Sequence, residues 1–281
     1  MRQRLLRRLV SHAHRGQVRA LYNRVTWRLY RGSNVRCNCC GTRFRRFRTY
    51  IGVGGHRALM CPRCGSLGRH RVDWLYLTER SDALLGPVSI LHIAPEVCLE
   101  SPLRTLPNVD YLSADYDSTL AMERLDLRNA HYADQTFDGV ICNHVLQHID
   151  DDRRAMTELR RILKPGGWAL VQSAIDPSLE RTVERPEPAL AEDDSGRYEE
   201  VFMRLYGRDY RSRLAQAGFE VTVSEFAKEM APALAGELGL DTEETIFFCR
   251  RPGSEDGEIA SGADPGQPLS EQAISGHDQP K

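Results

Sequence analysis

Five cysteines in two knuckles give a sharp chemical signal. They are Cys37-Asn38-Cys39-Cys40-Gly41 and Cys61-Pro62-Arg63-Cys64-Gly65. The pattern is C-x2-C, then twenty residues, then C-x2-C, at the upper end of the spacing for a structural zinc site. Four thiolates favour tetrahedral Zn²⁺ with no open position, so Cys37, Cys40, Cys61 and Cys64 are the expected ligands of a structural ion. The glycine after each second cysteine eases the tight backbone of a knuckle. Cys39 is an alternative ligand, and His56 and His70 are weaker ones. A disulfide cluster is the competing reading. Against it, Cys98, Cys142 and Cys249 are scattered, the last two in apolar segments, as in a reduced cytoplasmic protein.

A second set of chemical residues lies further on. Asp115 ends the expected strand Val109 to Ala114. It lies roughly 20 residues beyond the turn after Val88–Ile93, the distance at which dinucleotide folds place a ribose-binding carboxylate. A solubilising loop acid is the plainer alternative. His144 and His148 stand four apart. H-x3-H can hold a metal, but no third ligand is evident.

The elements that must position these groups read as an α/β domain. Gly139 to Cys142 is a buried strand. Met156, Leu159, Ile162 and Leu163 recur at helical spacing, with Asp150 or Asp151 as N-cap and Pro165-Gly166-Gly167 as the stop. Trp168 to Gln172 is the next strand, which makes a right-handed parallel crossover. Asp176 to Arg197 is a polar, proline-rich insertion, expected to act as a mobile lid. Glu199 to Ala217 is expected as a helix, with Tyr206, Arg208 and Tyr210 either lining an acceptor pocket or packed in the core. Phe219–Phe226 and Thr245–Cys249 are the last two strands.

Charge is unevenly spread. Residues 1–71 hold eighteen Arg and no Lys, Asp or Glu, leaving 20 Lys and Arg against 39 acids in the remainder. Such asymmetry suits either a polyanionic partner or docking onto the chain's own acids. Phe44, Phe47 and Tyr50 interleave with Arg43, Arg45, Arg46 and Arg48, as in a single-strand nucleic-acid clamp or, preferably, a mini-core with snorkelling arginines. No apolar run approaches the ~20 residues of a membrane span, and no secretory signal is visible. The expected organisation is a basic helix over 1–34, a four-cysteine zinc ribbon over 35–72, a catalytic domain over 73–250 and a disordered tail over 251–281.

The run Phe137-Asp138, Asn143-His144-Val145-Leu146-Gln147-His148-Ile149 and Leu163-Lys164-Pro165-Gly166-Gly167 resembles the second half of class I S-adenosylmethionine-dependent methyltransferases, of the methyltransferase type 11 group. The resemblance covers about Val88 to Phe248. It implies a doubly wound, mostly parallel Rossmann-like sheet preceded by the zinc ribbon. Family members carry an acid and a glycine-rich turn after the first strand. Here His92-Ile93-Ala94-Pro95-Glu96-Val97-Cys98 stands in that place, with no glycine. A subgroup with an N-terminal four-cysteine zinc ribbon shares this HIAPE turn and the run Cys61 to Arg71.

By the resemblance, Ala94, Pro95 and Glu96 meet the methionine part of the donor, with Glu96 supplying the lost carboxylate. Asp115 and Tyr116 meet the ribose, Asp126 and Leu127 the adenine, and Asn143 the sulfonium side. His144 or His148 is the base where the nucleophile needs one. A small-molecule or peptide acceptor is expected. The rivals are an RNA methyltransferase that grips substrate with the ribbon, and a non-catalytic binding module with a degenerate donor site.

Overall fold

The structure, a computed structural model, describes residues 25–51, 57–118, 121–185 and 202–253. Most of the expected basic helix, part of the expected lid, His56 and nearly all of the expected tail lie outside these residues. Trp27–Tyr30 is a 3₁₀ turn, and a strand, β1 (Arg31–Arg36), follows where the end of a helix was expected. Gly32, Ser33 and Asn34 are weak helix formers, and β1 pairs instead with β2 (Arg43–Phe44).

A second hairpin, β3 (Arg48–Ile51) with β4 (Arg57–Met60), completes the ribbon. Each knuckle closes with a backbone bond, from Cys37 N–H to Thr42 O and from Cys61 N–H to Ser66 O. Gly41 and Gly65 sit at φ +66° and +77°, the left-handed conformation that glycine adopts without a Cβ clash. Phe44 and Phe47 are buried, with ring centroids 6.5 Å apart, so these two form the mini-core. Arg36 and Arg43 reach out to Glu237.

Helix α1 (Gly68–Leu75) leads directly from the second knuckle into the larger domain. There follow β5 (Val88–Ile93), α2 (Val97–Leu103), β6 (Val109–Asp115), β7 (Glu123–Arg124), β8 (Phe137–Cys142), α3 (Asp152–Ile162) and β9 (Leu163–Leu170). After β9 come the short pair β10 (Val183–Glu184) and β11 (Arg204–Leu205), then α4 (Tyr210–Gln216), β12 (Glu220–Ser224), α5 (Pro232–Leu238) and β13 (Ile246–Arg250). The main sheet has the order β12-β13-β9-β8-β5-β6-β7. The strands from β5 to β9 run parallel and β13 antiparallel. The chain steps outward from β5 to β7, then returns to β8 on the other side of β5. That reversal opens a crevice at the carboxyl ends of β5 and β8.

Strands β5 and β8 are apolar almost throughout because both faces of the sheet are covered. Met156, Leu159 and Ile162 of α3 fill one face. Val72 and Leu75 of α1, with Trp168 and Phe248, fill the other. Asp151 caps α3 by accepting the Arg154 N–H at 3.0 Å. The helix stops at Ile162, before the Pro165-Gly166-Gly167 turn, since Leu163 already pairs with Phe137 in the sheet.

One expected element is overturned. Glu199 to Ala217 is not a single helix among its described residues: Arg204–Leu205 is a strand, Tyr206 bridges to Ile175, and only Tyr210–Gln216 is helical. Buried Arg204 fixes this course. It donates to the carbonyls of Leu146, Ile149 and Asp150 and pairs with Glu184. Together these bonds outweigh local helix propensity.

Candidate active site and metal centre

Strand β5 delivers its last residues into the crevice. Ala94 there has φ +49°, and His144, just past β8, has φ +55°. Left-handed alanine and histidine cost of order 1–3 kcal/mol each and persist where the surroundings impose them, often at functional sites. Ala94 is held by its N–H to Ala114 O, and His144 by its N–H to Gln172 O.

The HIAPE turn is organised by His92, which is fully buried. Its Nε2 lies 2.8 Å from Glu96 Oε2 and its Nδ1 3.0 Å from the Tyr111 hydroxyl. Burial alone would raise the Glu96 carboxyl, but the His92 hydrogen bond and charge bring it down to about 2. With Glu96 ionised, Nε2–H donates to it, and Nδ1 shares the second hydrogen bond with the Tyr111 hydroxyl. The histidine that replaces the expected strand-end acid thus presents another acid, four residues on, at the crevice.

Asp115 ends β6. Its Oδ1 accepts the N–H groups of Asp117 and Ser118 at 2.8 and 2.7 Å. Tyr116 is exposed, with the Arg124 guanidinium over its ring. Leu127 is buried. Asp126 is engaged by Arg128, through both its backbone N–H and its guanidinium, which holds its carboxyl below the usual range. Asn143 is buried with its Oδ1 unpartnered.

His144 and His148 are placed differently. Burial, with Arg69 nearby, pushes His144 down to about 4, and its Nε2 is buried without a partner. His148 is exposed on a 3₁₀ turn, its ring 5.2 Å from that of Phe202. Tyr206 and Tyr210 are fully buried, donating to Asp152 and to Val171 O, and are core residues. Arg208 is on the surface with Glu180.

The structure adds residues that sequence reasoning missed. Helix α1 brings Arg69 and Asp73 to the crevice, with His70, expected only as a weaker zinc ligand and outside the cysteine quartet, and the turn before β13 brings Glu244. Asp73 is 1% exposed. Its Oδ2 receives Asn143 Nδ2 at 3.4 Å, and its Oδ1 has no partner. Burial, then Glu244 and Glu96, hold the Asp73 carboxyl well above the usual range. Burial and Asp241 raise Glu244 to about 7, and burial lowers His70 to about 3. One signal was present in the sequence: Asp73 is the first acid of the chain and lies in the apolar run Val72-Asp73-Trp74-Leu75.

The four knuckle cysteines Cys37, Cys40, Cys61 and Cys64 converge, with all sulfurs within 4.8 Å of one another. Cys37 and Cys64 Sγ lie 3.6 Å apart, Cys40 and Cys61 Sγ 3.7 Å. Bonds of about 2.3 Å to a tetrahedral ion would space sulfurs at about 3.8 Å, whereas a disulfide needs about 2.05 Å. The set therefore fits a four-thiolate metal centre. Hydrogen bonds from the surrounding thiols, Cys39 foremost, push Cys37 far below the ordinary thiol range. Cys39 itself lies outside the quartet, with its Sγ 3.7 Å from His70 O. No helix among the described residues is long and apolar enough to cross a membrane.

Residues 105–171 match the family described as a methyltransferase domain. No curated protein matches the sequence. Among solved structures the chain is similar to the [4+2]-cyclase SpnF, at 18% identity and a TM-score of 0.43, with 85% of this chain and 96% of that one covered. It is similar to an S-adenosylmethionine-dependent methyltransferase of Methanosarcina mazei, at 14% and 0.41, covering 62% and 96%. It is also similar to the 1,6-didemethyltoxoflavin-N1-methyltransferase of Burkholderia thailandensis, solved with bound 1,6-didemethyltoxoflavin and S-adenosylhomocysteine, at 13% and 0.39, covering 66% and 84%. Over residues 105–171, then, this chain is similar to a family described as a methyltransferase domain.

Proposed function

We propose that the chain is a cytoplasmic S-adenosylmethionine-dependent methyltransferase for a small-molecule or peptide acceptor, with a structural Zn²⁺ in its ribbon. The observation that carries this reading is the pair of left-handed, non-glycine residues, Ala94 and His144, at adjacent strand ends of the crevice. Ala94 lies two residues before Glu96, and its N–H meets the carbonyl of Ala114, the neighbour of Asp115. A glycine-free turn can still bring backbone close to a ligand, because Ala94 takes the glycine-like conformation with the smallest possible side chain.

The residues present fit the donor. Asp115 would bridge ribose hydroxyls, Glu96 would face the α-ammonium, and Leu127 would pack on the base. Bound there, the donor supplies an electrophilic methyl on a sulfonium. The chain's own task is then to orient a nucleophile and exclude water. His144, uncharged near neutrality and with a free ring nitrogen, can accept a proton at Nε2.

Calorimetry with S-adenosylmethionine and S-adenosylhomocysteine tests the reading. Asp115→Ala should weaken donor binding roughly ten- to hundredfold, the value of charge-assisted hydrogen bonds. No binding by the parent chain at millimolar donor would instead favour the non-catalytic module.

A further inference from the structure

We propose that the part of the crevice roofed by α1, over the ends of β8, β9 and β13, receives an amine-bearing acceptor, held as its ammonium between Asp73 and Glu244. The binding stands on its own observations; only the fate of the amine rests on the methyltransferase reading. Asp73 hangs from α1, Asn143 follows β8, Gln172 follows β9 and Glu244 precedes β13. All four therefore gather at one edge of the sheet, on the far side of β5 from Asp115.

Two buried acceptors at this edge are unpaired, beside one unpaired donor, Arg69 Nε. Asp73 Oδ1 and Asn143 Oδ1 are buried acceptors with no partner, in side chains 1% and 4% exposed. Buried polar atoms are seldom left unpaired, because each such loss is costly. Glu244 Oε1 takes one bond, from Gln172 Nε2 at 3.2 Å. An ammonium brings three donors and no acceptor, which matches these acceptors. An alcohol brings one donor, and a carboxylate or phosphate brings none.

Charge points the same way. Glu244 and Glu96 both act on Asp73, and Asp241 acts on Glu244. The facing cation is Arg69, and His70 and His144 are pushed toward their uncharged forms. Among the described residues Arg69 forms no ion pair with these acids, and its buried Nε has no partner. Burial first, and then the neighbouring acids, raise Asp73 and Glu244, and a cation between them would offset both costs.

An ammonium nitrogen has no lone pair and must lose a proton before it accepts a methyl group. Glu244 takes that proton. The freed lone pair then forms the C–N bond to the donor's methyl carbon, while the C–S bond breaks and its electrons stay on sulfur. The product leaves as a methylated ammonium once Glu244 has passed its proton to solvent.

The test is NMR-detected binding of propylammonium, with propanol and propionate as isosteric controls, to the full chain with and without saturating S-adenosylhomocysteine. We expect propylammonium to bind at least about tenfold more tightly than propanol, as charge-assisted bonds imply, and propionate not to bind. The preference should vanish in Glu244→Gln and in Asp73→Asn. If Asp73→Asn fails to fold, Glu244→Gln decides, because Glu244 lies in a partly exposed turn. Equal affinity for alcohol and ammonium, or a preference retained in a folded Glu244→Gln chain, overturns the proposal. Failure to bind S-adenosylhomocysteine would sink the methyltransferase reading instead, and the ammonium preference measured without it would be judged separately.

Discussion

At the scale of single residues, the HIAPE turn depends on one buried histidine with a partner on each ring nitrogen. His92 bridges Tyr111 and Glu96. His92→Leu should strand both partners and destabilise the chain by about 2–4 kcal/mol. Adding Tyr111→Phe removes one stranded hydroxyl, so the double variant should recover part of that loss in urea denaturation. A double variant no more stable than His92→Leu would argue against the bridge. His144 makes a prediction about pH. Its folded pKa of about 4 lies below the unfolded value, so between about pH 6.5 and 4 the unfolded chain binds more protons and stability falls on acidification. His70 contributes in the same direction. His144→Gln should therefore lose less stability than the parent between pH 7 and 5, by about 1–2 kcal/mol. Parallel losses in the two proteins would contradict the buried, uncharged imidazole.

At the scale of elements, Arg71 joins the ribbon to the larger domain. It is fully buried, donates to the carbonyls of Ser66, Leu59 and Gly239, and lies 4.3 Å over the Phe47 ring. A lysine cannot reproduce a planar fork that reaches several carbonyls and stacks on a ring. Arg71→Lys should cost about 2–4 kcal/mol and lower the melting temperature nearly as much as Arg71→Met; full rescue by lysine would refute this role. Arg71 was visible in the sequence only as part of the Cys61 to Arg71 run. Strands β5 and β8 were legible because burial on both sheet faces demands mostly apolar segments. The knuckles were legible because metal geometry constrains spacing. Arg204–Asp209 was misread because its local pattern suits a helix, while the deciding contacts lie more than fifty residues away in the chain. Asp73 and Glu244 were missed for the same reason: their partners are Asn143 and Gln172, and no local periodicity records that proximity.

At the scale of the whole molecule, ribbon and domain share one interior. Cys37, Phe44 and Phe47 pack with Cys98 and Leu99 of α2 and with Trp74 of α1. The ribbon's arginines are partly spent on this contact, as the pairing of Arg36 and Arg43 with Glu237 illustrates. RNA binding should accordingly be weak and fall steeply between 50 and 200 mM salt in a filter assay; selective binding that persists at the higher salt would promote the RNA enzyme. The shared interior makes a stronger demand on the metal. Protein purified without added metal should contain about one zinc per chain, because four thiolates bind it with energy that is itself folding energy. The second knuckle opens α1, and α1 carries Arg69, His70 and Asp73 over the crevice. Removing the ion with a chelator, or replacing Cys61 by serine, should therefore lower the single melting transition of the whole protein. It should also weaken S-adenosylhomocysteine binding by tenfold or more, the effect of losing about 1.4 kcal/mol of positioning. Restoring zinc to the chelated parent should restore both, and should not do so for Cys61→Ser. A separate early transition with ligand affinity intact would mean that the ribbon is an independent appendage and that the crevice does not depend on it.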